Sequence, residues 1–130
     1  MAPSTQTALV VDDSRAMRAM LRKMVGELGF DVVEAEHGRQ ALDHLEELGE
    51  LAFALVDWNM PVMDGLAFVR SVRDDRRYDR MRLLMVTSET NPRHVYEALK
   101  AGADEYAMKP VTGDVIRDKL GMLGVAGLGG

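Results

Sequence analysis

The feature that most limits what this chain can fold into is a short, uninterrupted apolar run that recurs along it and twice stops dead on acid. Ala8-Leu9-Val10-Val11 halts at Asp12-Asp13, and Leu51-Ala52-Phe53-Ala54-Leu55-Val56 halts at Asp57. Runs this short, without polar alternation, predict strands covered on both faces, as in the middle of a parallel sheet. Parallel neighbours need long crossovers, usually helical. The segments between the runs have the matching period. After Ser14, a predicted N-cap, Met17, Met20, Leu21, Met24, Val25 and Leu28 form one apolar stripe that Gly29 closes.

The cycle then repeats. Phe30 to Ala35 predicts a second strand, and Arg39 to Leu48 a helix burying Ala41, Leu42, Leu45 and Leu48 before Gly49. Leu51 to Val56 is the third strand, and Asp64-Gly65 opens a helix with Leu66, Val69 and Val72 on one side. The charged stretch Arg73 to Arg82 reads as its solvated exit. Leu83 to Val86 predicts a fourth strand, and Asn91-Pro92 sets a cap and a first-turn proline before a helix with Val95, Ala98 and Leu99 inward. Beyond Ala101-Gly102-Ala103, Glu105 to Met108 is a fifth strand. Lys109-Pro110 then leads to a helix from about Thr112 to Leu123, burying Val115, Ile116, Leu120 and Leu123. Five strands alternating with five helices define an α/β fold: a doubly wound, five-stranded parallel sheet with right-handed crossovers.

Composition narrows the rest. A chain of 130 residues, 47% hydrophobic, suffices for one domain with a sizeable core, expected over residues 7–123, with the glycine-rich 124–130 fraying. Sixteen basic residues against 21 acidic give a net charge of -5, which disfavours nucleic acid and anionic membrane as partners. No cysteine is present, so disulfides and thiolate metal sites are excluded. Met1 to Thr7 lacks the pattern of a signal peptide, and no apolar run approaches the ~20 residues that span a bilayer, so a soluble, cytoplasmic protein is expected. Of the ten methionines, Met17, Met20 and Met24 fall in the apolar stripe of the first helix, where flexible packing accounts for them. His37, His44 and His94 are too scattered to form a metal site.

In an open parallel sheet, ligands bind beyond the carboxyl ends of the strands. That edge would gather Asp12, Asp13, Asp57, Thr87, Ser88 and Lys109. Taken singly, each is an ordinary turn former, cap or solvated charge. Together they raise an electrostatic problem, because like charges ~4 Å apart cost about 4 kcal/mol per pair at an effective dielectric of 20. Lys109 offsets part of this. A hard divalent cation offsets more, and Mg2+ suits carboxylates plus water and a phosphoryl oxygen. A carboxylate in such company is fitted to attack phosphorus and form an acyl phosphate, by chemistry that is mostly positioning and charge neutralisation. Asp57, on the middle strand, is the expected nucleophile.

These residues resemble the receiver domain of two-component response regulators along nearly the whole chain. The resemblance rests on Asp12-Asp13, Asp57 with Met60-Pro61-x-Met63-Asp64-Gly65, Thr87-Ser88, Ala101-Gly102-Ala103, Tyr106 and Lys109-Pro110. Asp57-Trp58-Asn59-Met60-Pro61, Thr87, Glu89 and Tyr106 bring it nearest to the stand-alone chemotaxis regulators of that family. The family's strand order, 2-1-3-4-5, is taken from the resemblance. It implies that Asp57 accepts phosphate from a histidine kinase, and that Asp12, Asp13, Asp57 and the Asn59 backbone carbonyl hold Mg2+. It further implies that Thr87 and Lys109 contact the phosphoryl group, that Lys109-Pro110 is cis, and that Asn59 and Glu89 modulate dephosphorylation. Thr87 and Tyr106 would form the switch, the ring turning inward as Thr87 moves toward the phosphate.

The expected output face is the last two helices with strand five, where Tyr106, Val95 and Lys119 would meet a flagellar motor switch protein. The family also allows a phosphatase as partner, and a monomer is expected. A phosphate sink or relay intermediate is the alternative. A more distant one is an aspartate-nucleophile phosphatase of the haloacid-dehalogenase type. Those enzymes carry a second Asp two residues after the nucleophile, where this chain has Asn59.

Overall fold

The computed structural model describes residues 4–125, with side chains from residue 7. The elements alternate throughout: β1 (Ser4–Val11), α1 (Arg15–Glu27), β2 (Asp31–Ala35), α2 (Gly38–Leu48), β3 (Leu51–Val56), α3 (Gly65–Arg73), a 3-10 turn at Arg76–Tyr78, β4 (Arg82–Thr87), α4 (Pro92–Ala101), β5 (Glu105–Met108) and α5 (Gly113–Met122). The strands form one parallel sheet in the order β2-β1-β3-β4-β5. The expected architecture and strand order are therefore both observed.

Side-chain alternation along each central strand builds two cores. Leu9 and Val11, Ala54 and Val56, and Leu83 and Met85 join Leu45, Phe68, Val69 and Ala98 on the face covered by α2, α3 and α4. Ala8 and Val10, Phe53 and Leu55, and Leu84 and Val86 join Leu21, Val25, Ile116 and Leu120 under α1 and α5. Burying each large apolar side chain contributes about 1.5–3 kcal/mol, which explains why these strands read as continuous apolar runs. The helices start where the caps predict. Ser14, Asp64, Asn91 and Thr112 each accept a backbone N–H from the first turn of their helix.

Several local expectations are corrected. Leu99, Val115, Leu48 and Met20 are exposed, because each lies at the margin of its apolar stripe while neighbours such as Ala98, Ile116 and Leu45 fill the contact with the sheet. β1 begins at Ser4, earlier than its apolar run, since Ser4 pairs with Leu51 and ladder hydrogen bonds need no apolar side chain. The stretch Arg73 to Arg82 is no solvated exit: Tyr78 and Met81 are buried. Arg73 donates to the carbonyls of Gly102, Tyr78 and Met81 and to the Asp104 carboxylate, all at 2.8–3.0 Å. Beyond the expected core boundary at 123, Val125 is buried and its N–H reaches the Leu120 carbonyl. The remainder of the expected tail, 126–130, and residues 1–3 lie outside the described residues.

Candidate functional site

The site is built by letting the sheet run one residue past its strands. Asp12 N–H donates to the Ala35 carbonyl, Asp57 N–H to the Val11 carbonyl, and Lys109 N–H to the Thr87 carbonyl. Each functional side chain therefore hangs from a backbone held by the adjacent strand. Asp57 is further fixed by α3. Gly65 N–H bonds the Trp58 carbonyl at 2.8 Å, and a Cβ on Gly65 would collide with the Asp57 carbonyl oxygen, so this helix can approach only as glycine. The loop between them is similarly tight, with Gly38 N–H on the Met63 carbonyl at 2.9 Å.

Asp12, Asp13 and Asp57 offer oxygens that all lie within 4.8 Å of one another. Asp12 and Asp57 are buried and Asp13 is exposed. Asp12 accepts from Ser14 N–H through Oδ1 and from Lys109 Nζ through Oδ2, both at 2.8 Å. Lys109 Nζ also stands 3.5 Å from Asp57 Oδ2, while Asp57 Oδ1 accepts Trp58 N–H at 2.8 Å. Burial pushes the Asp57 carboxyl above the ordinary range, and the Asp12 charge adds to this; Thr87 and Lys109 pull it back without cancelling it. One ammonium among three carboxylates leaves excess negative charge in a partly dry pocket. Hard oxygen donors gathered around that excess are what a divalent oxophilic cation requires.

The remaining residues singled out from sequence lie around this centre. Thr87 is fully buried, and its Oγ1 accepts Glu89 N–H at 3.2 Å. Ser88 and Asn59 are exposed. Tyr106 points inward, 9% exposed, and its hydroxyl donates to the Glu89 carbonyl at 2.9 Å. Burial, then the charges of Glu89 and Asp57, push that phenol up to about 12, so it remains a donor. The Lys109-Pro110 peptide is cis, as the resemblance implies.

Three features escaped sequence reading. Arg18, taken for part of a polar helix face, is nearly buried: it donates to the Asp12 carbonyl at 2.8 Å and faces Glu34 and Glu36. His94 stacks on Trp58, ring centroids 4.9 Å apart and planes 17° from parallel. Val62 adopts a positive φ of 67° in the loop after Asp57. Nothing in helical periodicity or spacing signals these, because each depends on which loop lies opposite.

An acidic, cation-ready pocket with a lysine and a buried threonine lies at the carboxyl edge of a doubly wound parallel sheet, an arrangement consistent with a phosphorylated signalling module. The chain belongs to the response regulator receiver domain family, whose model matches residues 8–121. It is thus a signalling protein rather than an enzyme, and a receiver domain implies a histidine kinase as partner. The chain is 42% identical over 113 residues to the chemotaxis protein CheY1 of Helicobacter pylori, covering 86% of this chain and 91% of that one. It is 44% identical over 113 residues to a CheY homolog of Campylobacter jejuni, covering 86% and 87%. Among solved structures, chemotaxis protein CheY4 of Vibrio cholerae superposes with a TM-score of 0.83 at 32% identity, covering 94% of this chain and 99% of that one. Among the described residues no helix is long and apolar enough to cross a membrane.

Proposed function

We propose that this chain is a chemotaxis response regulator of the cytoplasm, phosphorylated on Asp57 by a histidine kinase. The observation that carries the reading is the convergence of Asp12, Asp13 and Asp57 on a single point with Lys109 beside two of them. An oxygen of Asp57 attacks the phosphorus of a phosphohistidine; the O–P bond forms as the P–N bond breaks, and the imidazole leaves with a proton. Asp12, Asp13, Asp57 and the Asn59 carbonyl would hold Mg2+, which when bound neutralises charge on the transferring group. Lys109 and Thr87 then contact the phosphoryl oxygens, each charge-assisted bond contributing about 1.5–3 kcal/mol. Two such bonds approach the ~5.5 kcal/mol that inverts a two-state equilibrium. Water ends the signal, with Asn59 and Glu89 at the approach to the acyl phosphate modulating its rate.

The readout runs from Thr87 through Glu89 to Tyr106, which the hydrogen bonds above already connect. We assign the output surface to α4, β5 and α5, where Tyr96, Leu99, Met108 and Val115 are exposed and Lys119 pairs with Glu105. The kinship with chemotaxis regulators supports a flagellar motor switch protein as the listener and a monomeric protein.

The test is direct. With Mg2+ and a small phosphodonor, wild type gains one phosphoryl group by intact mass and the fluorescence of Trp58 changes; Asp57→Asn shows neither. A wild type that takes up no phosphoryl group would defeat the reading. Transfer back to a histidine protein, with no binding to the motor switch in either state, would instead establish a phosphate sink.

A further inference from the structure

Glu89 has its polar groups engaged on several sides. Its N–H donates to Thr87, its carbonyl accepts from Tyr106, and its Oε1 accepts Asn91 N–H at 2.9 Å. The same Oε1 lies 3.2 Å from His94 Nδ1, close enough for an ion pair but off the line of a good hydrogen bond, so this buried nitrogen has no other partner. A proton on Nδ1 would make this approach attractive, whereas an unprotonated nitrogen would set two lone pairs against each other. The Glu89 carboxyl is held below the usual carboxylate range, by Asn91 N–H most and His94 next among the lowering contacts, so it is an anion. The imidazole is clasped on its other side by the indole of Trp58, the residue after Asp57.

We infer that His94 is a positioning residue that clamps the Glu89 carboxylate against the start of α4, keeping a mobile negative charge away from the entrance to Asp57. This rests on the phosphoacceptor reading above. Without His94, only the neighbouring backbone N–H groups of Asn91 and Thr90 remain to hold a side chain two residues from Thr87, and its charge can swing over the approach that an anionic phosphodonor must use. Residue 94 thereby sets how readily phosphate reaches the site through the Glu89 side chain, whereas the Thr87–Tyr106 readout uses the Glu89 backbone.

The experiment compares phosphorylation by a small anionic donor in four proteins: wild type, His94→Phe, Glu89→Gln and the double variant. Phenylalanine keeps the stack and the volume and removes Nδ1–H. His94→Phe should slow phosphorylation roughly threefold to tenfold. In the Glu89→Gln background the same change should have no effect, because the charge to be restrained is gone. His94→Arg, planar and able to stack and donate, should recover the wild-type rate. Imidazole nitrogen NMR of wild type should show a proton on Nδ1. An Nδ1 without a proton overturns the clamp, even if no variant accepts phosphate and the phosphoacceptor reading itself falls. Slowing smaller than about twofold, or equal slowing in both backgrounds, overturns it as well.

Discussion

Asp57 sits where its surroundings disfavour its charge. Its carboxyl titrates above the ordinary 3.8 because burial disfavours the charge. In the unfolded chain the ordinary value applies. Below both values each state is protonated and the group is neutral toward folding. As pH rises, the unfolded chain ionises first, and the folded chain loses stability relative to it until it too has ionised. The cation-free wild type should therefore melt lower than Asp57→Asn at neutral pH, and the gap should close as pH falls to about 4. Thermal melts across that range check it, and a gap independent of pH would contradict it. Val62 carries a separate local cost. A β-branched residue at positive φ is strained by about 1–2 kcal/mol, of which glycine would recover part, so Val62→Gly should stabilise by about 0.5–1 kcal/mol in urea melts.

Among the elements, α3 does more than cover the sheet. Its first residue, Gly65, seats it against the Asp57 backbone, and its last, Arg73, ties its far end to the Gly102 and Asp104 turn before β5. One helix thus connects the loop after Asp57 with the turn that leads into β5. Arg73 leaves several carbonyls and the Asp104 carboxylate unsatisfied if removed, and Gly102, at φ 123°, has no room for a Cβ against the arginine stem. Arg73→Ala should cost about 3 kcal/mol in equilibrium unfolding. Arg73→Lys should recover only a minor part, since an ammonium cannot reach four acceptors arranged around a planar fork.

At the scale of the whole molecule, the sheet brings together three acids from two strand ends that are far apart in sequence, and a cation should stabilise the fold they strain. Adding Mg2+ should raise the melting temperature of wild type by several degrees, about 3–6 °C at saturating concentration. It should raise that of Asp57→Asn less. Equal shifts in both would place the ion elsewhere.

The sequence carried the α/β alternation and the inventory of the acidic edge, while the strand order came from the family likeness. Short runs that are apolar throughout predict inner parallel strands, and Asp12 and Asp57 stand where two of them end, whatever packs above them. It misjudged Leu99 and Val115, because periodicity marks an apolar stripe and not its margins. It also misjudged the Arg73 to Arg82 stretch, where charge alone suggested solvent while Arg73 is folded under four acceptors. Only the tertiary structure decided that Arg18 braces Asp12, that His94 lies on Trp58 and faces Glu89, and that Tyr106 points inward to the Glu89 carbonyl. The reason is physical: strands and helices follow from local periodicity, whereas contacts between loops depend on which chain ends the sheet order sets side by side.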